Sequence, residues 1–155
     1  VQRKDAEDIR QSITYVTKKN SDDMSMYDFV FSYLRSGADV EQLDPHVWPQ
    51  LTHLYPIRYT NAIPIDNLEK GMADIIGKDL SQRFFASRSN ATSGNVMTDD
   101  ADLSKISAHE LRRSLKTTGF RPSTKNLISA DESEALRLLY EDDIELVSKL
   151  EGKNL

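Results

Sequence analysis

The sequence predicts a helix-rich α/β chain, and three observations carry that prediction. Apolar residues recur at helical spacing in several stretches, among them Ile9, Ile13 and Val16 near the start and Leu136, Leu139, Tyr140, Ile144, Val147 and Leu150 at the end. A β-rich run of Ile57, Tyr59, Ala62, Ile63 and Ile65, interrupted by Pro64, leads directly into a helical pattern. That order, with helices before it, belongs to layered α/β designs rather than to helical bundles. Serine-started capping patterns and glycines then mark where individual helices begin and end.

Taken in order, Val1 to Arg3 read as the tail of a strand, so the chain reads as part of a longer one. Asp5 to about Lys18 follows as an amphipathic helix with acidic residues in its first turn, where the helix dipole favours them. Ser12 shares its apolar stripe with Ile9 and Val16. Ser25 and Asp28 then form a helix start ahead of Phe29, Val30, Phe31, Tyr33 and Leu34, with Gly37 as a left-handed stop. This helix is apolar nearly all round, which marks its aromatics as packing residues. Ala38 to Pro56 contains three prolines and the cluster DPHVWPQLTHLY, and reads as an irregular connection of the kind on which sites are built.

Asp66 or Asn67 caps a helix carrying Leu68, Met72, Ile75 and Ile76 up to Gly77. From Lys78 to Asp102 the residues are small and polar, with Phe84 and Phe85 as the large apolar anchors, and the stretch reads as a mobile surface loop. It includes the glycosylation sequon Asn90-Ala91-Thr92, a match short enough to arise by chance. Ser107 and Glu110 make a capping box for a helix through Lys116 that ends near Gly119, and TTGFRPSTKN is a turn-rich loop. Ser129 and Glu132 repeat the box for one long terminal helix.

Composition narrows the function classes. A length of 155 residues suits one domain spanning 1–155, and no apolar run approaches the roughly 18 residues of a membrane span. The formal net charge of −5 argues against a nucleic-acid binder, which needs a broad basic face. With no cysteine, disulfide frameworks and thiolate metal sites are excluded. His46, His53 and His109 lack a zinc-ligand spacing, so no metal is expected. A small phosphorylated molecule remains allowed. Arg3 or Lys4 at the mouth of the first helix, with unpaired N–H groups and the Ser12 hydroxyl, is a combination that suits a phosphate. The competing reading is a solvated helix start, with Ser12 bonding back to a carbonyl of its own helix.

Several stretches then fall into a familiar order. The opening VQRKDAEDIRQSITYV resembles the 3′-phosphate motif of sulfotransferases that use 3′-phosphoadenosine-5′-phosphosulfate, particularly the carbohydrate-type and bacterial members. That motif is an arginine at a strand end, then Asp-Pro, then a helical serine two turns on. MSMYDFVFSYL resembles the helix that follows, DPHVWPQLTHL the family's His-Trp-x-Pro-Gln region, and IPIDNLEKGMADIIG the next strand and helix. ISADESEALRLLYEDDIELVSKL is similar to the family's terminal helix. Departures are also present: Ala6 stands for the proline, Val47 separates His46 from Trp48, and Asp66 replaces a common glutamate.

The resemblance implies the C-terminal part of a P-loop-like sulfotransferase fold with few, short parallel strands. It implies 3′-phosphoadenosine-5′-phosphosulfate as donor, with a hydroxyl or amine acceptor. Lys4 and Ser12 would hold the 3′-phosphate, with Arg3 an alternative to Lys4. Arg121 would close over the nucleotide from the Gly-Phe-Arg-Pro loop, with Lys116 as second choice. Trp48 would stack on a sugar or purine face, and His46 would be a candidate general base. The family's phosphosulfate loop has no counterpart here, since the glycines are scattered at turns and helix ends. The remainder of the chain or a separate N-terminal part would have to supply it. The competing function is a non-catalytic interaction module of the same fold.

Overall fold

A computed structural model of the protein describes residues 2–54, 56–57, 63–86 and 95–150, with side chains from Glu7 to Lys149. In chain order the elements are α1 (Gln2–Thr17), α2 (Met26–Asp28), α3 (Leu68–Ile76), α4 (Lys78–Phe85), β1 (Asn95–Val96), α5 (Ala108–Thr118), β2 (Phe120–Arg121), α6 (Thr124–Leu127), α7 (Ala130–Leu139) and α8 (Glu141–Leu150), with short 3-10 and π turns between them. The arrangement is helix-rich and belongs to the mixed α/β class through its two short parallel strands. Its contacts fall into two compact units, Val1–His53 with Gly94–Glu141 and Leu54–Ser93 with Asp142–Leu155.

The first unit begins with α1, which is helical from Gln2 and so corrects the expected strand end there. Gln2, Arg3 and Lys4 are good helix formers, and Ala6 supplies no proline to delay the start. Ile13 is buried, and Ile9 and Val16 pack beside it. Lys18, at φ 58°, turns the chain out of the helix. Ser25 and Asp28 form the expected capping box, and α2 widens at once into a π-helical turn over Phe29–Leu34. There the Arg35 N–H reaches back five residues to the Val30 carbonyl at 3.1 Å. Val30, Tyr33 and Leu34 are buried by that turn, and the core of Ile13, Met24, Tyr33 and Leu34 forms against α1.

The strands of this unit lie where the sequence suggested loops. β1 falls in the polar stretch and β2 in TTGFRPSTKN, and they pair in parallel, Asn95 beside Phe120 and Val96 beside Arg121. Parallel partners require a crossover, which α5 provides. Ser107 and Glu110 box its start as expected, and Gly119 closes it at φ 71°, ψ 0°. Among the described residues the strand expected at Ile57 to Ile65 is absent. Residues 58–62 lie outside the described residues, as does the 90–92 sequon, while Ile63 and Pro64 are not in a strand and Ile65 opens a 3-10 turn.

Two backbone links hold the crossover in place. Tyr27 N–H donates to Ser104 O at 2.9 Å and Ala108 N–H to Met24 O at 2.8 Å, which joins the start of α5 to that of α2. Buried Asn126 donates to Asp99 O and Ala101 O at 2.9 and 3.0 Å and so anchors the segment after β1. The expected single terminal helix is instead α7 and α8, interrupted at Tyr140, whose backbone leaves helical values at φ −111°, ψ 26°.

In the second unit α3 ends at Gly77, whose φ of 88° suits glycine, and α4 starts immediately. The helical span Lys78–Phe85 corrects the surface loop expected there. Its residues contain no glycine or proline, and buried Ser81 fixes it to α3 by donating to Glu69 O. Close packing also explains Gly71, where a Cβ would come within 2.5 Å of the Ile63 side chain.

Two expectations follow for stability. Leu34→Ala should cost about 2–5 kcal/mol in urea unfolding, whereas half-exposed Leu138→Ala should stay within about 0.5 kcal/mol. Lys19 Nζ lies 2.9 Å from Asp28 Oδ1, and with the Ser25 hydrogen bonds it holds the Asp28 carboxyl below the usual carboxylate range. A depressed carboxyl contributes its stability above the unfolded pKa of about 3.9 and loses it as pH falls through the folded value. Urea midpoints measured from pH 7 down to pH 2 should show Lys19→Ala losing this contribution at higher pH than the parent.

Candidate functional site

The site is built around Tyr33, which is 0% exposed. Its hydroxyl accepts the Asp44 N–H at 2.7 Å and lies 2.7 Å from Ser12 Oγ, while Ser12 donates to the Gln42 carbonyl at 3.0 Å. The proton count settles the direction of the middle bond. Ser12 has one hydrogen and gives it to Gln42, so Tyr33 donates to Ser12. This chain ties α1, the π-helical turn and residues 42–44 together.

Beyond Asp44 the chain forms a 3-10 turn, Pro45–Val47, capped by the Asp44 side chain. Asp44 Oδ1 accepts the His46 backbone N–H at 2.9 Å and lies 2.6 Å from His46 Nδ1. The carboxylate side chain is 3% exposed and the imidazole 66%. Trp48 Nε1–H donates to Leu43 O at 2.9 Å, Tyr140 Oη–H to Val47 O at 2.7 Å, and His53 Nε2–H to Pro45 O at 3.1 Å. The His53 ring stacks on Trp48 with centroids 5.6 Å apart. A short polar turn is thereby pinned from several sides, and an imidazole stands on it facing water.

Among the expected site residues, Ser12, His46 and Trp48 belong to this web. Ser12 faces the tyrosine and a carbonyl of the following connection, which replaces the alternative of bonding back within its own helix. Lys116 is exposed in the last turn of α5, and Arg121 is partly buried on β2, so both stand on a different pair of elements. The side chains of Arg3 and Lys4 lie outside the described residues. Their backbone is helical, which places Lys4 about 12 Å from Ser12 along the axis of α1.

Asp44, Tyr33 and Tyr140 are the members that sequence reasoning missed as site residues. An aspartate before Pro-His is the usual signature of a side-chain-capped turn and could have exposed Asp44. The tyrosines could not be distinguished from packing residues, because their partners, the Ser12 hydroxyl, the Asp44 N–H and the Val47 carbonyl, lie far from them along the chain.

A groove of about 700 Å³ in the first unit runs along α1 past Arg10, Thr14, Lys18 and Lys19. Ser12, His46 and Trp48 do not line it. Its charges are largely balanced locally. Arg112 sits 2.6 Å from Asp22 and holds that carboxyl below its usual range, and Lys19 is paired with Asp28.

Tyr33→Phe should destabilise the protein by about 1–3 kcal/mol, because the Asp44 N–H loses its buried acceptor. Tyr140→Phe should cost about 0.5–1.5 kcal/mol, as its bond is only partly buried. Urea unfolding of both variants checks the order. No protein-family model, curated protein or solved structure matches the chain.

Proposed function

We propose that this chain is the C-terminal part of a 3′-phosphoadenosine-5′-phosphosulfate-dependent sulfotransferase of P-loop-like fold, acting on a hydroxyl or amine acceptor. One observation supports the reading above others. Stretches that resemble the family in sequence, far apart in the chain, meet through single hydrogen bonds: Ser12 to Tyr33, Tyr33 to Asp44, and Tyr140 to Val47. These bonds keep those stretches side by side in one unit, as the reading requires.

In this reading Ser12 turns its proton from Gln42 O to a phosphate oxygen. Gln42 is exposed, so its carbonyl can take water instead. The buried Tyr33 hydroxyl still donates to Ser12 Oγ, and that polarises the Ser12 O–H into a better donor. Lys4 or Arg3 adds positive charge and Arg121, with Lys116, closes over the nucleotide. Trp48 stacks on a sugar or purine face. When bound, the donor supplies the activated sulfuryl group, and the chain's residues hold and align it.

A second reading, a non-catalytic module of the same fold, is favoured by the 12 Å axial rise between Lys4 and Ser12 and by the commitment of the Ser12 proton within the fold. Thermal unfolding with adenosine 3′,5′-bisphosphate separates the two. At 100 times its dissociation constant the ligand should add about 2.7 kcal/mol to the parent. Ser12→Ala and Lys4→Ala, each compared with and without ligand, should lose most of that gain. A parent as unresponsive as the variants leaves the module reading.

A further inference from the structure

One side of α5 borders an apolar groove that the proposed function leaves unused. Three neighbouring hollows, of about 210, 310 and 270 Å³, follow one another along this helix. The first and second share Ile106 and Leu111 as walls, and the second and third share Met97, Ser114 and Phe120. Ile106 and Phe120 are 37% and 47% exposed, so the groove is open to solvent. Three of the chain's four methionines, Met24, Met26 and Met97, line it. Their unbranched thioethers can repack around a partner, which suits an adaptable docking surface better than a rigid pocket.

Two features define what fits there. The walls of the middle hollow, Leu111 and Ser114, lie three residues apart on α5, a rise of about 4.5 Å. A docked helix presents same-face side chains about one 5.4 Å turn apart, whereas a strand offers them about 6.5–7 Å apart. The spacing therefore matches a helix. Charge is the second feature, since Glu110 borders the middle hollow and Asp99 the outer one. Among the described residues no lysine, arginine or histidine lines any of the three. The basic residues of α5, Arg112, Arg113 and Lys116, border none of them, while Lys125 pairs with Asp100 and Lys105 lies over the Tyr27 ring.

We propose that this groove docks a basic amphipathic helix of a partner protein, with apolar side chains one turn apart seated in the hollows and lysines or arginines meeting Glu110 and Asp99. The inference is separate from sulfuryl transfer, because Ser12, Lys116 and Arg121 do not line the groove.

The full chain, labelled with carbon-13 on its methionine methyls, provides the test. A leucine–lysine amphipathic peptide of about 14 residues, long enough to be helical, should move the Met26 and Met97 signals. Met72 sits on α3, outside the groove, and should stay in place. A counterpart peptide with glutamate at every lysine position should move none of them. Glu110→Gln keeps the capping box and removes the charge, so it should weaken binding of the lysine peptide about two- to fivefold, as the loss of one partly exposed ion pair does. Ser114→Trp fills the groove from an exposed helical position, and should abolish the Met97 shift while the thermal midpoint holds. An unmoved Met97 in the parent, a Met72 that moves alongside it, or an equal response to the glutamate peptide overturns the proposal. So does unchanged binding in Ser114→Trp. A parent that sediments as a dimer beside a monomeric Ser114→Trp assigns the groove to a second copy of the chain, and this also overturns it.

Discussion

The first unit depends on one buried phenol. Tyr33 fills the centre of a small core with its ring, and its hydroxyl joins α1 to the turn that carries Asp44. A buried hydroxyl without partners would cost about 1–3 kcal/mol, so the positions of Ser12 and Asp44 are set together with that of Tyr33. The π-helical turn has a clear role in this. An added residue in the turn alters which side chains face inward, and here Val30, Tyr33 and Leu34 all do.

Around that joint, local polar chemistry carries much of the order. Ser25, Ser107, Ser123 and Ser129 each open a helix with a capping box, and the first two are also bridged to one another across the backbone. Glu132 is the most deeply placed of these partners, fully buried, with one carboxyl oxygen satisfied by Ser129. Such boxes are worth about 1 kcal/mol each, and their number suits a unit whose buried apolar residues are few. Helix ends set by side chains three residues away do not rely on a large core for their placement.

The same economy shapes the candidate site. His46 sits on a turn too short to be rigid on its own, yet its neighbours Asp44, Pro45, Val47 and Trp48 are bonded to Tyr33, His53, Tyr140 and Leu43 respectively. A side chain that faces water while its support is buried is suited to meeting something from solution, since the support fixes orientation and the exposure leaves access. Helix-rich α/β architecture does not select a reaction, and the chemistry attaches to this turn rather than to the fold.

The sequence by itself determined what depends on neighbours a few residues away: the capped starts of α2, α5 and α7, the glycine ends at Gly77 and Gly119, the amphipathic stripe of α1, and Ser12, His46 and Trp48 as polar or aromatic residues in suggestive places. Tertiary structure alone decided the rest. The strands β1 and β2 are two residues each and take their extended form from each other, so no local pattern announced them. Helix α4 is held to α3 by its own Ser81, which donates to Glu69 O, and the break at Tyr140 accompanies a bond to Val47 across 93 residues. Asp44 and Tyr33 became site residues for the same reason. Their hydrogen-bond partners are chosen by proximity in space, and spacing along the chain carries no record of it.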